Sequence, residues 1–523
     1  MAAQQYLASS SNPKVSSLKG LLVGLILLGI FFRFANLDKK IYWHDEAYTS
    51  LHLSGYSVQE MDQRLFNGQL LTVDDIQQFQ RLSPTKTVAD TVALLATYDA
   101  QHPPLYYVLA RLWASLFGDS VSSIRGVSAL LSLLALSFAY WLGWELFQSS
   151  VTASILTGLI AISPFHILYA QEAREYGLWT VMILFSCAAL LRALRKPSHV
   201  NWAIYALSLT LGLYTFLFTV LVMLAHGIYV VATQHFKITR VVAAYLLATG
   251  VSILLFTPWL INLVINSSRV IRTTAWLTEP KSLLELVRSL VANATRVLAD
   301  FNFAPSDPLI LLLPTLIVLA AIISYALFFL CRKAPAQVWL FVLLLGGVTA
   351  LFLIIPDVVF GGHRSSISRY VIPTWLGIQM AVAYWMGFGA GDVPYKPLQK
   401  IAIALILSAS LLSNFVSMQS EAWWTKYSSQ HHLKTAQIIN QAEQPLLISS
   451  DFYINKGELL SLSHSLDQHI TLLLIKEPQF PHIPDGFSDI FLFNPSPEMQ
   501  DSLKADGHSV KSIYIQGMLW KVT

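Results

Sequence analysis

The chain has 523 residues, of which 54% are hydrophobic and 12% charged, against roughly 25% charged in ordinary soluble domains. With a mean hydropathy of +0.54, this excludes a disordered chain, a disulfide-stapled secreted module and a simple cytosolic enzyme, and points to a polytopic membrane protein. The formal net charge of +4 is too small to argue for nucleic acid. Cys187 lies inside an apolar run and Cys331 at the end of one, so no disulfide is expected to hold the fold.

A bilayer crossing takes about 20 apolar residues. Eleven segments satisfy this: residues 18–36, 122–146, 151–169, 177–195, 200–214, 216–234, 240–261, 308–330, 336–356, 371–390 and 399–418. The fifth and sixth meet at Tyr214-Thr215 and could instead form one kinked helix. The first is read as a span, not a signal peptide: it lacks a small-residue cleavage site, and a polar motif follows it directly. Short loops carrying Arg192, Arg195, Lys196, Lys237, Arg240, Arg332, Lys333, Lys396 and Lys400, together with Lys14 and Lys19 of the N-terminal tail, place the N-terminus in the cytoplasm. Residues 37–121, 169–176, 262–307 and 357–370 then fall on the outer face, with the C-terminal region. Within them, residues 103–117, interrupted by Arg111, and 282–298 read as interfacial helices.

From residue 421 the long apolar runs stop. Strand-like runs at 446–450, 470–475, 489–494, 510–516 and 518–522 alternate with helical stretches at 435–441, 456–464 and 497–504. The expected organisation is therefore a transmembrane domain over 1–420 and a small extracytoplasmic α/β domain over 421–523. The latter has no glycine-rich phosphate loop and no metal-ligand spacing, so it reads as a lid, a docking module or a stabilising cap. No internal repeat stands out, which weakens an inverted-repeat transporter.

Four polar motifs carry the chemistry. Trp43-His44-Asp45-Glu46 opens the first outer loop with two adjacent carboxylates. Carboxylates at a membrane surface are costly to bury and need a partner or a chemical role. One can act as a general base, and a pair can ligate a divalent cation. The plain alternative is a solvated loop with an aromatic anchor. Gln101-His102-Pro103-Pro104 closes that loop. Its prolines fix a helix entry, and His102 is placed either to contact a phosphate or sugar or merely to start the helix. In Tyr169-Ala170-Gln171-Glu172-Ala173-Arg174-Glu175-Tyr176, a helical continuation would put Glu172 and Tyr176 on one face. Glu172 is then an acceptor, metal or structural-pair candidate and Arg174 a phosphate candidate, against a simple polar cap. Gly361-Gly362-His363-Arg364-Ser365-Ser366-Ile367-Ser368-Arg369-Tyr370 puts two arginines on the outer face, suited to bidentate phosphate recognition or to interfacial snorkelling. An outer-face site for a phosphorylated, lipid-anchored substrate accounts for all four motifs; no nucleotide fingerprint is present.

Trp43-His44-Asp45-Glu46, His102-Pro103-Pro104-Leu105-Tyr106-Tyr107, Ser163-Pro164-Phe165-His166, the 169–176 motif and Arg369-Tyr370-Val371-Ile372-Pro373 resemble the motifs of glycosyltransferase family 39, over about residues 18–420. That family includes protein O-mannosyltransferases and lipid A aminoarabinose transferases and belongs to the GT-C membrane glycosyltransferases. The resemblance implies transfer of a sugar from a polyprenyl-phosphate donor to an acceptor hydroxyl, with inversion, on the extracytoplasmic face of a plasma or inner membrane. The acceptor class (lipid, glycan or protein) stays open. It makes Asp45 the catalytic base and Glu46 the neighbour that orients it. His102, Glu172, Arg174, His363, Arg364, Arg369 and Tyr370 become substrate-binding candidates, with Arg369 stabilising the phosphate leaving group. Asp45 and Glu172 are the candidate ligands for a divalent metal, whose use the resemblance leaves open. Two competing readings are a lipid-linked polysaccharide polymerase or ligase, and a transporter or flippase built on His226 or Glu145.

Overall fold

The computed structural model describes residues 13–303, 307–388 and 395–523. The expected cytoplasmic tail before residue 13, the Lys14 side chain, residues 304–306 of the third outer stretch and residues 389–390 of the tenth segment lie outside the described residues. The chain forms two compact units. Of the described residues, one comprises 13–35, 100–105, 128–303, 307–388 and 395–418; the other comprises 36–99, 106–127 and 419–523.

The first unit is helical, and all but two of the apolar segments expected within it form single helices. Pro13–Phe34, Tyr176–Arg195, His199–Thr215, Thr219–Thr233, Arg240–Ile265, Leu309–Lys333, Ala336–Phe360, Ile372–Phe388 and Pro397–Gln419 match expected segments within a few residues. The second expected segment becomes Val121–Ser132 followed by Leu134–Phe147. Among the described residues seven helices are long and apolar enough to cross a membrane, and eight if one bent pair is a single span. His199–Thr215, of 17 residues, and Thr219–Thr233, of 15, fall short, since they rise only about 25 and 22 Å against a hydrocarbon core of about 30 Å. They are separate helices, because Phe216 between them is extended (φ −157°, ψ 132°). Tyr176–Arg195 and Ser368–Phe388 are central, with 83% and 78% of their apolar windows buried; Arg240–Ile265 and Leu313–Lys333, at 28% and 22%, expose theirs. Leu246, Leu247 and Leu254 on the outward face of Arg240–Ile265 are the surface a bilayer would cover.

The third expected segment is not one helix. Ser150–Ile162 and Pro164–Ala170 meet at Ser163 with a bend of 57°. Pro164 lacks an N–H, so the first helix cannot run on, and its last carbonyls lose their intrahelical donors. In hydrocarbon these need other partners. Arg33, itself 1% exposed, donates to Ala161 O at 2.6 Å and Ile160 O at 3.1 Å, and Asn414 Nδ2 donates to Ile162 O at 2.7 Å. A cation at the negative end of a helix is also electrostatically favourable. Beyond the bend, Gln171 Nε2 donates to Phe32 O (2.7 Å) and Ala35 O (2.9 Å). The end of helix Pro13–Phe34 therefore splints both arms of the bend.

The second unit centres on a six-stranded sheet of order β1-β3-β2-β4-β6-β5, where β1 is Leu70–Thr72, β2 Pro445–Ser450, β3 Thr471–Ile475, β4 Asp489–Phe493, β5 Val510–Tyr514 and β6 Leu519–Val522. The central strands β3, β2 and β4 are parallel, and the flanking pairs are antiparallel. Leu446, Ile448, Leu473, Ile475, Leu492, Met499, Leu503 and Val522 form its core. The sheet is not confined to residues 421–523: β1 comes from the first loop and pairs with β3, Leu71 opposite Leu472. Three residues were too short a run to register as a strand in the sequence. The first loop also forms His44–Ser54, Val58–Leu65, Val73–Gln77, Val88–Tyr98 and Leu105–Phe117. The last is amphipathic: Leu112, Leu116 and Phe117 are exposed, while Arg111 turns inward and donates to the carbonyls of Leu53 and Lys86.

Candidate active-site residues

In the second unit, Trp43 is the extended N-cap of helix His44–Ser54, and Asp45 and Glu46 fill its first turn, where the helix dipole favours negative charge. Successive helical residues point about 100° apart, and these two carboxylates have opposite environments. Glu46 is 0% exposed. Its Oε1 and Oε2 accept from Arg125 Nε (2.8 Å) and Nη2 (2.6 Å), and Lys426 Nζ lies 3.3 Å from Oε2. Arg125 also donates to the carbonyls of Leu37, Lys40 and Ile41 at 2.7–2.9 Å and lies over the Tyr42 ring at 5.3 Å. Glu46 is thus the hub of a buried ion-pair network that holds the chain entering the helix. Asp45 is partly exposed.

His44 Nδ1 lies 3.3 Å from Glu458 Oε1. Burial alone would raise the Glu458 carboxyl, but hydrogen bonds with His432 and His44 outweigh it and hold the group well below the usual carboxylate range. Tyr48 is pushed up above its ordinary value by burial and by the carboxylates of Asp62, Asp99, Glu458 and Asp45.

In the first unit the 169–176 motif is buried throughout. The expected helical continuation is absent: helix Pro164–Ala170 ends at Gln171, the next begins at Tyr176, and a turn joins them. Glu172 and Tyr176 therefore do not share a helical face, and the motif is not a solvated polar cap. The bend at Ser163 has already used the segment's helical run. Arg174, 3% exposed, donates from Nη2 to His102 Nε2 at 3.0 Å and Glu175 Oε1 at 3.3 Å. His102 Nε2 is 3.8 Å from the same Glu175 oxygen. Arg174 and Arg369 both lie over the Tyr176 ring, at 5.7 and 5.4 Å, and Arg369 over Tyr370 at 5.6 Å. Arg369 is 5% exposed, so it does not snorkel to solvent. Tyr169 and Ser368 hydroxyls, 2.9 Å apart, tie the two motifs together. Arg174, Arg369, His102, Tyr176 and Tyr370 therefore converge. Glu172, 1% exposed, is buried in the same turn, and its carbonyl accepts from Arg174 N at 2.8 Å.

His363 and Arg364 have other partners. His363 is held by the 277–279 segment, with its N–H donating to Leu277 O and its Nδ1 3.0 Å from Glu279 O. Arg364 Nη1 donates to Asp357 Oδ1 at 3.0 Å, and Ser365 N to Oδ2 at 2.7 Å. Gly362 permits this fold-back: it has φ +126°, and a Cβ there would meet Leu277 O at 2.8 Å. Both residues are thus read as shaping the 357–366 loop.

Sequence reasoning missed Glu175, Arg125, Lys426, Asp357 and Glu458, the counter-charges of the residues it chose. Glu175 alone was within a chosen motif. Of the transport candidates, His226 is a paired core residue, 3.1 Å from Tyr205 OH and 3.3 Å from Cys187 Sγ. Glu145 binds Arg192 at 3.4 Å and also pairs with Arg195. Asp45 and Glu172 belong to different units, and among the described residues no group of three or more His, Cys, Asp or Glu has a metal-holding arrangement.

Residues 101–262 match the family model described as dolichyl-phosphate-mannose-protein mannosyltransferase. No curated protein sequence matches the chain. Among solved structures the chain is similar to ArnT from Cupriavidus metallidurans bound to undecaprenyl phosphate, at 13% identity and a TM-score of 0.54, over 97% of this chain and 98% of that one. The apo form of the same protein gives 14% identity and 0.53 over the same shares. AglB from Archaeoglobus fulgidus, in complex with an inhibitory peptide and a dolichol-phosphate, gives 12% and 0.47 over 88% and 64%. The family-model match over residues 101–262 and the ArnT-like fold agree with the resemblance read from the motifs and with a polytopic helical membrane fold.

Proposed function

We propose that this integral membrane protein is a glycosyltransferase that moves a sugar from a polyprenyl-phosphate donor to an acceptor hydroxyl on the extracytoplasmic face, with inversion at the anomeric carbon. The observation that carries the reading is an ArnT-like fold over nearly the whole chain, in a relative solved with undecaprenyl phosphate. The lysines and arginines of the short loops support the extracytoplasmic side.

Asp45 is the base. It takes the acceptor proton as the acceptor oxygen bonds to the anomeric carbon and the bond from that carbon to the phosphate oxygen breaks. The products are the glycosylated acceptor and the polyprenyl phosphate. Arg369 and Arg174 stabilise the charge on the departing phosphate. Arg369, set against Tyr176 and Tyr370, supplies a fixed cation in a poorly hydrated setting, where electrostatic stabilisation is strongest. Glu175 and His102 hold Arg174 in place. Glu46 orients the helix that carries Asp45: its carboxylate is committed to Arg125 and Lys426.

The test is a proteoliposome assay on the unmodified protein with a panel of polyprenyl-phosphate sugars, following release of free polyprenyl phosphate. Acceptor-dependent release from at least one panel member is expected. Reaction with soluble nucleotide sugars in place of the lipid-linked panel would overturn the donor assignment.

A further inference from the structure

We infer that the C-terminal segment is a working part of the candidate active site: Glu458 and Ser429 are positioning residues that clamp His44 and thereby fix Asp45. This rests on the reading of Asp45 as the base, and it gives residues 419–523 a role beyond that of a cap.

The clamp has two routes from one carboxylate. Glu458 Oε1 lies 3.3 Å from the His44 ring Nδ1. Glu458 Oε2 accepts from Ser429 Oγ at 2.7 Å, and Ser429 Oγ in turn accepts from the His44 backbone N–H at 3.2 Å. Side chain and main chain of residue 44 are thus held by the same group. Glu458 is itself fixed by His432 Nε2 at 2.8 Å and Ser428 Oγ at 2.8 Å, and is 2% exposed. His44 is the first residue of the helix, so the clamp sets where its first turn begins.

Two further observations agree. Gly457 allows the approach: a Cβ there would come within 2.6 Å of the Tyr48 ring and closer still to the His44 ring. On the other side of Asp45, Glu46 reaches the same C-terminal segment through Lys426. Residues 44 and 46 are therefore both tied to residues 426–458, and the backbone of Asp45, which lies between them, is fixed from both sides. Preorganisation of this kind matters because a misplacement of about 1 Å can cost on the order of 10²-fold in rate.

The experiment measures kcat and donor KM for the full-length chain bearing Glu458→Gln, Ser429→Ala, His44→Gln and the pair Glu458→Gln with His44→Gln. Asp45→Asn and thermal unfolding in detergent are run alongside. We expect Glu458→Gln and His44→Gln each to lower kcat about tenfold with donor KM unchanged, Ser429→Ala to lower it by less, and the pair to be no worse than either single change, because both act through one contact. Unfolding should stay within a few degrees for Ser429→Ala. Unchanged kcat in Glu458→Gln and Ser429→Ala, or losses that multiply in the pair, would overturn the clamp. Full activity in Asp45→Asn would instead overturn the base assignment on which the clamp rests, so the two failures are told apart.

Discussion

The Glu46–Arg125 pair offers the sharpest test of the physical account. Arg125→Met removes the guanidinium but keeps an apolar stem of similar length. Glu46 then stays buried with Lys426 at 3.3 Å as its remaining cation, and the Leu37, Lys40 and Ile41 carbonyls lose their donor. Breaking a buried pair from one side costs about 3–5 kcal/mol. Lys426 pulls this to about 3, and the two more deeply buried carbonyls add roughly 0.5–1 together where water cannot reach them. The expected loss is about 4 kcal/mol, read by denaturant unfolding of detergent-purified protein through tryptophan fluorescence. Removing all three charges with Glu46→Leu, Arg125→Met and Lys426→Met should recover at least half of it, because no uncompensated buried ion remains. A single variant costing under about 1 kcal/mol, or a triple variant worse than the single, would refute the reasoning.

Three other outcomes follow from the geometry. Arg369→Ala should cut kcat/KM for the donor on the order of 10²-fold with acceptor KM unchanged; a pure acceptor defect in initial-rate kinetics would count against a phosphate role. Arg33→Met strips the Ile160 and Ala161 carbonyls of their donors and should lower stability by about 2 kcal/mol, with Arg33→Lys in between. An Arg33→Met protein that unfolds like the parent would dismiss the splint. His464 is pushed down to about 4 by burial and by Arg125, against an opposing pull from Glu46. Its folded form binds fewer protons than the unfolded chain between pH 4 and about 6.5, so stability rises with pH across that window, by up to about 3 kcal/mol. His464→Gln should flatten that slope, and an unchanged pH–stability curve would contradict the assignment.

Apolar length and period made most of the helices and strands legible in the sequence. Runs such as 446–450 and 470–475 alternate with helical stretches at the spacing of an α/β sheet, and they formed one. Two features escaped. β1 has three residues, below the length at which alternation carries information, and it joins strands some 400 positions away only through tertiary pairing. The 151–169 segment has the apolar length of a span, but the bend at Ser163 depends on Arg33 and Asn414 capping from distant helices. The same limit applies to the site. Asp45, Arg174 and Arg369 stand out as charges beside apolar helices. Their companions do not: Glu46 is separated from Arg125 by 79 positions and from Lys426 by 380, and no local pattern marks such pairs. The burial that turns Glu46 into a structural hub while Asp45 stays partly exposed is a tertiary fact. Adjacent carboxylates look alike until the helix fixes which of them faces inward.

The most direct test of the central claim is single-turnover transfer by Asp45→Asn protein in proteoliposomes loaded with a polyprenyl-phosphate sugar that the unmodified protein consumes. The account predicts that the variant still binds the donor lipid yet releases no polyprenyl phosphate above background. Release at the unmodified rate would contradict it.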